Sequence, residues 1–366
     1  MLIAWAVVPL ALVVASCSSA SPGPPTMYAP ITTAAAGTTI ASVSPASLPS
    51  GPLVAGAPIA VPLTANAVTA AEAPDGAVFL TGQAPAAPGP SVVWVVDGNG
   101  PAAIAEHVTS GVAALAADGT NLYVASYARV TSYRRSSGNE VRHWKLPYIN
   151  TANASTDDLL DLTAAAGKLF VSITQGNTVS VYSLNPNSKK APHLIIRGGG
   201  AVVGPDGSVY YERADDHLVK RSPSGATTAG PALANAPNGL GGGVQYIDEV
   251  AGRYVWVGQP AGQGLDKEDT LYSTATLKQV GTYDGSGFQV IVASTGGVLT
   301  LVGPGGPGGC APAAPQASTS CVFRISTQRT QTDGVAVGAA VTILGPSPAV
   351  IADNADSTAF EVERLM

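Results

Sequence analysis

Acidic side chains are the residues of this sequence with the most chemistry to offer, and they come in short groups. Asp157, Asp158 and Asp161 form one, Asp215 and Asp216 with His217 a second, Asp248 and Glu249 a third, and Asp266, Glu268 and Asp269 a fourth. Carboxylates drawn from several such groups would supply the about six to eight oxygens that a calcium ion takes. No contiguous calcium-loop motif is present, so no cofactor is expected, with calcium, or magnesium in an enzyme reading, the ion these residues could hold. His217 beside Asp215 and Asp216 can be drawn as a general base with its orienting carboxylate. The plainer reading, solvated turns and a strand-end cap, covers most exposed carboxylates.

Other chemistries lack their residues. The Gly-rich stretches 198–200, 241–243 and 303–309 are not followed by the Gly-Lys-Ser/Thr of a phosphate loop. No Gly-x-Ser-x-Gly element precedes a helix, which leaves serine-hydrolase chemistry without support. The 18 basic and 24 acidic residues give a formal charge of −6, and nucleic-acid binding needs a clustered basic excess. The pairs Arg134-Arg135 and Lys189-Lys190 are isolated and read as solvated turn or strand ends.

Three cysteines are present, Cys17, Cys310 and Cys321. Residues 2–16 are apolar and uncharged, too short for a bilayer-spanning helix and of signal-peptide length. Val14-Ala15-Ser16-Cys17 resembles the lipobox of bacterial lipoproteins. The resemblance implies that Cys17 becomes the lipidated first residue, with 1–17 as the signal peptide and an extracytoplasmic domain held at the cell membrane. No Lys or Arg precedes the apolar run, a departure from the lipoprotein pattern. The alternative is an ordinary secreted protein cleaved nearby, with a free thiol. With Cys17 lipidated, Cys310 and Cys321 flank one Pro/Ala/Ser loop, and an oxidising exterior favours their disulfide. No His or further Cys lies near them at zinc-ligand spacing.

Residues 18–50 are mostly Ser, Pro, Thr, Ala and Gly, with few large apolar residues and no charge. Such a stretch buries too little surface to offset its ordering entropy. As a flexible tether it would reach roughly 30 Å. The alternative is that Thr38 to Val43 adds a strand to the domain at 51–366.

The elements that must position the acidic groups follow from composition and repetition. Apolar residues make up 46% of the chain and charged residues 11%, with 42 Gly and 29 Pro. That balance excludes both a disordered polyelectrolyte and long helices. One unit recurs, a small apolar run, a turn related to Asp-Gly, then an alternating strand. Its turn glycines, Gly76, Gly119, Gly167, Gly207, Gly252 and Gly296, are separated by 43, 48, 40, 45 and 44 residues. That is the period of a propeller blade, about 40 to 45 residues, and the Asp-Gly turn reads as a two-residue hairpin. Third strands follow at 91–97, 129–135, 178–186, 217–222 and 321–327, and fourth strands at 140–146 and 192–196.

A degenerate seventh copy at 352–365 completes an all-β, seven-bladed propeller of four-stranded blades. Because that copy is read as first and second strands, its outer strands must come from elsewhere. The segment 56–63 is expected to close the ring, with Thr38 to Val43 as a further candidate strand.

Residues 200–220, with Gly204-Pro-Asp-Gly before a strand and Asp215-Asp216-His217 before the next, are similar to the NHL-type propeller repeat. The resemblance implies a structural role for His217, and it implies fold more than function. His107, His143 and His193 fall in outer strands, away from the channel where propeller lyases and lactonases need a base. Trp94, Trp144 and Trp256 read as blade-packing residues.

Second-to-third-strand loops and blade-to-blade loops share one face, and the enlarged loops at 82–90, 259–269 and 303–321 all belong to it. This face is the expected binding surface. The expectation is a monomeric, lipid-anchored binding or scaffold protein for an envelope partner or small ligand, a reading preferred to enzyme chemistry because His217 alone is placed to serve as a base. The alternative is a metal-assisted propeller enzyme built on Asp158, Asp161, Asp248 and Glu249.

Overall fold

The computed structural model describes residues 53–63, 67–83, 91–97, 100–108, 112–126, 129–147, 160–175, 178–213, 215, 217–233, 246–251, 254–258, 268–284, 290–292, 298–302, 320–325, 331–337, 339–344, 348–353 and 360–365. They form seven four-stranded antiparallel sheets and no helix. The first strand, β1 (Ile59–Val61), belongs to the last sheet. The first sheet holds β2 (Ala67–Glu72), β3 (Val78–Gln83), β4 (Ser91–Asp97) and β5 (Gly100–Val108). The second holds β6 (Val112–Ala117), β7 (Asn121–Ser126), β8 (Arg129–Arg134) and β9 (Glu140–Lys145). The third holds β10 (Leu160–Ala165), β11 (Lys168–Gln175), β12 (Thr178–Leu184) and β13 (His193–Gly198).

The fourth sheet is β14 (Ala201–Val203), β15 (Val209–Glu212), β16 (His217–Arg221) and β17 (Thr227–Ala232). The fifth is β18 (Tyr246–Ala251), β19 (Tyr254–Gly258), β20 (Glu268–Ser273) and β21 (Gln279–Asp284). The sixth is β22 (Val290–Val292), β23 (Val298–Val302), β24 (Ser320–Ile325) and β25 (Gln331–Val337). The seventh runs β26 (Ala339–Leu344), β27 (Ala349–Asp353), β28 (Phe360–Arg364) and then β1.

Each sheet packs on the next in chain order. First strands meet first strands at β2 with β6, β6 with β10, β14 with β18, β18 with β22 and β2 with β26. The remaining junctions are made by β11 and β12 with β14, and by β23 with β26. The core therefore lies between sheets. Phe79, Val93 and Val95 pack with Leu115, Leu122 and Val124 across the first junction, and Tyr123, Ala125 and Val130 with Leu160, Leu169 and Val171 across the second. Buried faces on both sides explain the nearly unbroken apolar burial of second strands such as β7 and β27.

Closure is as expected at 56–63 and simpler than expected at 352–365. Ile59 pairs with Val362 and Val61 with Phe360, and Val61 is fully buried beside Val78, Leu80, Ile351 and Val362. The 352–365 copy is one strand out of phase. It spans the second and third strands, because β26 precedes them. With three strands from the C-terminal stretch and β1 as the fourth, the sheet is complete without Thr38 to Val43, which lies outside the described residues.

The turns also differ from a uniform two-residue hairpin. Ala166 (φ 48°) and Gly167 (φ 70°) do form one, with both central residues left-handed. The Pro-Asp-Gly copies are three-residue loops. Gly76 donates to Ala73 O at 2.8 Å and Ala73 to Ala77 O at 2.9 Å, and Gly204 with Gly207 and Ser208 repeats the pattern at 2.8 and 2.8 Å. At the second copy Asp118 Oδ1 accepts from the amides of Thr120 and Asn121, both at 2.7 Å.

Candidate functional site

Antiparallel pairing gives the ring two ends of different character. One end carries the first-to-second and third-to-fourth strand turns; the other carries second-to-third strand loops and the crossings between sheets. The turn end is short and tied across sheet boundaries. Arg135 Nη2 donates to Asp75 Oδ1 and Oδ2 at 2.9 and 2.8 Å, Nη1 donates to Asp118 O at 2.8 Å, and the guanidinium lies 5.0 Å from the centroid of the Phe79 ring. Arg364 donates to Gly76 O and faces Glu72 Oε1 at 3.7 Å, joining the last sheet to the first.

Similar ties follow around the ring. Trp144 Nε1 donates to Ser188 O at 2.8 Å and Arg142 to Pro186 O at 2.6 Å, from second sheet to third. Arg221 donates to Ile195 O at 3.1 Å between the third and fourth. Lys220 faces Asp206 Oδ2 at 3.5 Å, lies 5.2 Å from the centroid of the Tyr210 ring and reaches Thr274 O in the fifth sheet. Conspicuous residues of the repeat, the Asp-Gly turns and Trp144, are thus engaged in building the ring.

The acidic groups lie toward the opposite, loop end. Asp161 is the second residue of β10 and opposes Ser172 on β11. Solvent reaches its side chain, yet protein surrounds it closely. Desolvation pushes its carboxyl up to about 6, against hydrogen bonds from the Leu162 amide and the Thr163 side chain that favour the ionised form. Because water does reach it, the electrostatic penalty is smaller than full burial would impose.

Asp215 sits in the β15–β16 turn. Arg213 Nε and Nη2 each donate to its carboxylate at 2.6 Å, and this bidentate pair holds the Asp215 carboxyl down at about 2. His217 Nδ1 lies 2.8 Å from Asp215 O and 3.3 Å from its Oδ1. The Arg213 amide donates to His217 O at 3.0 Å. His217 therefore closes the turn through local bonds, and its carboxylate neighbour is held first by Arg213. That is a turn-stabilising arrangement rather than a base set up by an otherwise free carboxylate.

Asp248 occupies a register shift on β18, between the pairs Ile247 with Val257 and Glu249 with Trp256. A bulge at that point re-aims the strand locally. Glu268 and Asp269 open β20, and Asp284 closes β21 opposite Glu268. Sequence reading had not gathered Asp284 with them, because only the pairing of β20 with β21 brings it opposite Glu268. Asp157, Asp158, Asp216 and Asp266 lie outside the described residues, as do Cys17, Cys310 and most of the enlarged loops. Among the described residues, no group of three His, Cys, Asp or Glu side chains is placed to hold a metal ion. Cys321 is buried on β24 opposite Val302 and is not without a partner.

His107, His143 and His193 fall on β5, β9 and β13, the fourth strands of their sheets, as expected. His143 Nδ1 lies 2.9 Å from Glu140 Oε1 on the exposed edge of β9.

No family model matches the chain, and no curated protein matches it. Solved structures do. The WD40 domain of Toxoplasma gondii coronin superposes with a TM-score of 0.53 at 12% identity, covering 87% of this chain and 88% of that one. An oligogalacturonate lyase in complex with manganese gives a TM-score of 0.52 at 12% identity, covering 88% of this chain and 98% of that one. Identities this low carry the fold alone. The chain is a β-propeller of four-stranded blades, its ring closed by an N-terminal strand.

Proposed function

We propose that this propeller is a lipid-anchored, extracytoplasmic binding protein that engages an envelope partner through its loop end. The observation behind the reading is the separation of roles between the two ends. The turn end is spent on ties such as Arg135 with Asp75, while Asp161, Asp215, Glu268, Asp269 and Asp284 stand at the end where the long connections emerge. Loops on a rigid scaffold are where binding residues usually reside. An acidic rim favours a partner with basic groups, and such attraction weakens as salt rises.

The anchor rests on Val14-Ala15-Ser16-Cys17, and the extracytoplasmic setting on the apolar 2–16 run before it. The Cys310–Cys321 disulfide belongs to the same reading and is supported by the burial of Cys321. The NHL-type character of the repeat rests on 200–220, where the Pro-Asp-Gly turn and the closing role of His217 fit that pattern.

Cell fractionation of the full chain tests the anchor. The protein is expected in the membrane fraction and Cys17→Ala in the soluble one; retention of Cys17→Ala would overturn it. For binding, Glu268→Gln with Asp269→Asn and Asp284→Asn should weaken recovery of a cross-linked partner from intact envelopes, and unchanged recovery would count against the loop end. The metal-assisted alternative, with Asp158, Asp161, Asp248 and Glu249 as ligands, is tested by thermal unfolding in calcium and in chelator. A calcium-dependent rise in melting temperature would put that reading ahead of the binding protein.

A further inference from the structure

We propose that the turn end of the ring lies against an anionic lipid surface, so that the loop end faces away from the membrane. The proposal rests on the lipid anchor and adds an orientation and a second point of attachment.

The direction of the chain comes first. β28 runs from Phe360 at the loop end to Arg364 at the turn end, where Arg364 bonds Gly76 O. β1 pairs with β28 antiparallel, so it enters from the turn end and leaves at the loop end. The preceding residues follow the same path. Gly56 donates to Arg364 O at 2.7 Å, Ala55 bridges Leu365, and Leu53 is buried. The described chain therefore enters the ring at its turn end, through Leu53.

Charge points the same way. Arg134, Lys168, Lys189, Lys190 and Lys278 are exposed at the turn end, on the second, third and fifth sheets. Acids at this end are engaged locally, Asp75 by Arg135 at 2.8 Å, Asp206 by Lys220 at 3.5 Å and Glu140 by His143 at 2.9 Å. This basic arc stands on a chain whose formal charge is −6, so it reflects placement and not composition. At the loop end Asp161, Asp215, Glu268, Asp269 and Asp284 outnumber the exposed bases Lys145, Arg197 and Arg213, which leaves that end the less attractive to an anionic surface. Basic residues near a membrane are drawn to acidic headgroups within about a Debye length. The short turns carry these side chains without long loops to hold them off.

The two attachments lie on different parts of one face. The chain enters at the seventh sheet, and the cations stand on the second, third and fifth. A tether alone would leave the domain free to rotate; a tether with a charged arc fixes which end looks outward.

The test uses the full, lipidated chain in vesicles, with a photo-cross-linking residue at Asn187, exposed at the turn end, or at Arg213, exposed at the loop end. In vesicles of phosphatidylglycerol and phosphatidylcholine, Asn187 should cross-link lipid and Arg213 should not. In phosphatidylcholine alone, or with Lys168→Glu, Lys189→Glu and Lys190→Glu together, the Asn187 yield should fall about threefold or more as the charge attraction is lost. Equal yields from both positions, or a yield indifferent to lipid charge, would overturn the proposal. The anchor is scored separately by flotation of Cys17→Ala. Flotation of the parent chain with equal cross-linking from both ends would sink the orientation and leave the anchor standing.

Discussion

Arg135 and Asp75 form an ion pair at 2.8 Å across the boundary between the first and second sheets, with the guanidinium 4% and the carboxylate 31% exposed. Arg135 lies just past the end of β8 and Asp75 in the turn after β2, so two separate repeats share one contact. The Asp of a Pro-Asp-Gly turn serves here as the socket for the neighbouring blade.

Removing the carboxylate alone should be costly, because the guanidinium stays buried with only the Asp118 carbonyl and the Phe79 ring to face. Asp75→Ala is expected to destabilise the protein by about 3 kcal/mol. Adding Arg135→Met should restore part of that loss, since no buried charge then remains. Chemical denaturation of the two single variants and the double variant measures the coupling. A double variant as unstable as the sum of the singles would show that the pair carries no coupling.

Gly207 tests the turn geometry. Its φ is +75°, and a Cβ there would come within 3.0 Å of Ala166 Cβ in the turn of the preceding sheet. Gly207→Ala therefore meets backbone strain and crowding together and should cost about 1 to 2 kcal/mol. Gly119 occupies the equivalent place in the second sheet without a positive φ and with open space around it. Gly119→Ala should change stability by less than about 0.5 kcal/mol. Thermal unfolding of the two variants side by side checks the contrast.

The contrast also shows what could be read before the structure. Turn glycines at near-constant spacing located the first-to-second strand hairpin of six sheets, and strands such as Ser91–Asp97 were legible to the residue. Their similarity hid two backbone solutions, and an Asp-Gly pair alone does not separate a three-residue loop from an Asp-capped turn. The last blade was read out of phase because β25 and β26 are parted by Gly338 alone, inside a run of small apolar residues with no turn signal. Carboxylates were visible as types, but their ends of the ring depend on strand direction. The Arg213 grip on Asp215 needed geometry, since proximity in sequence suited His217 equally well.

Asp161 gives a pH dependence of unusual sign. Its folded-state value is pushed up to about 6 by desolvation, from 3.8. The folded protein then binds a proton more tightly than the unfolded chain, so stability from this group is greatest below the unfolded value and is lost as pH rises through the folded one. Asp161→Asn should accordingly raise the melting temperature at pH 7 and change it little at pH 4. The Asp215 carboxyl, held at about 2 by Arg213, works in the opposite direction at lower pH, so the comparison must be variant against parent at each pH. An Asp161→Asn effect that does not vary between pH 4 and pH 7 would show that desolvation does not control this carboxylate.

Ring closure by β1 predicts how the molecule comes apart. Val61 is fully buried against the first and last sheets, and β1 also meets β4 and β5. Val61→Ala removes two methyl groups and should cost about 2 kcal/mol. The site of the loss matters more than its size, because β1 is the only strand of its sheet drawn from the N-terminal side. Weakening it opens the seam between the two ends of the chain and bares the edge of β28, a hazard for intermolecular strand pairing. Hydrogen exchange should show protection falling first in β28 and β27, then in the first sheet, with β10 to β13 last. Uniform loss of protection around the ring would mean that the seam is no weaker than the other blade junctions.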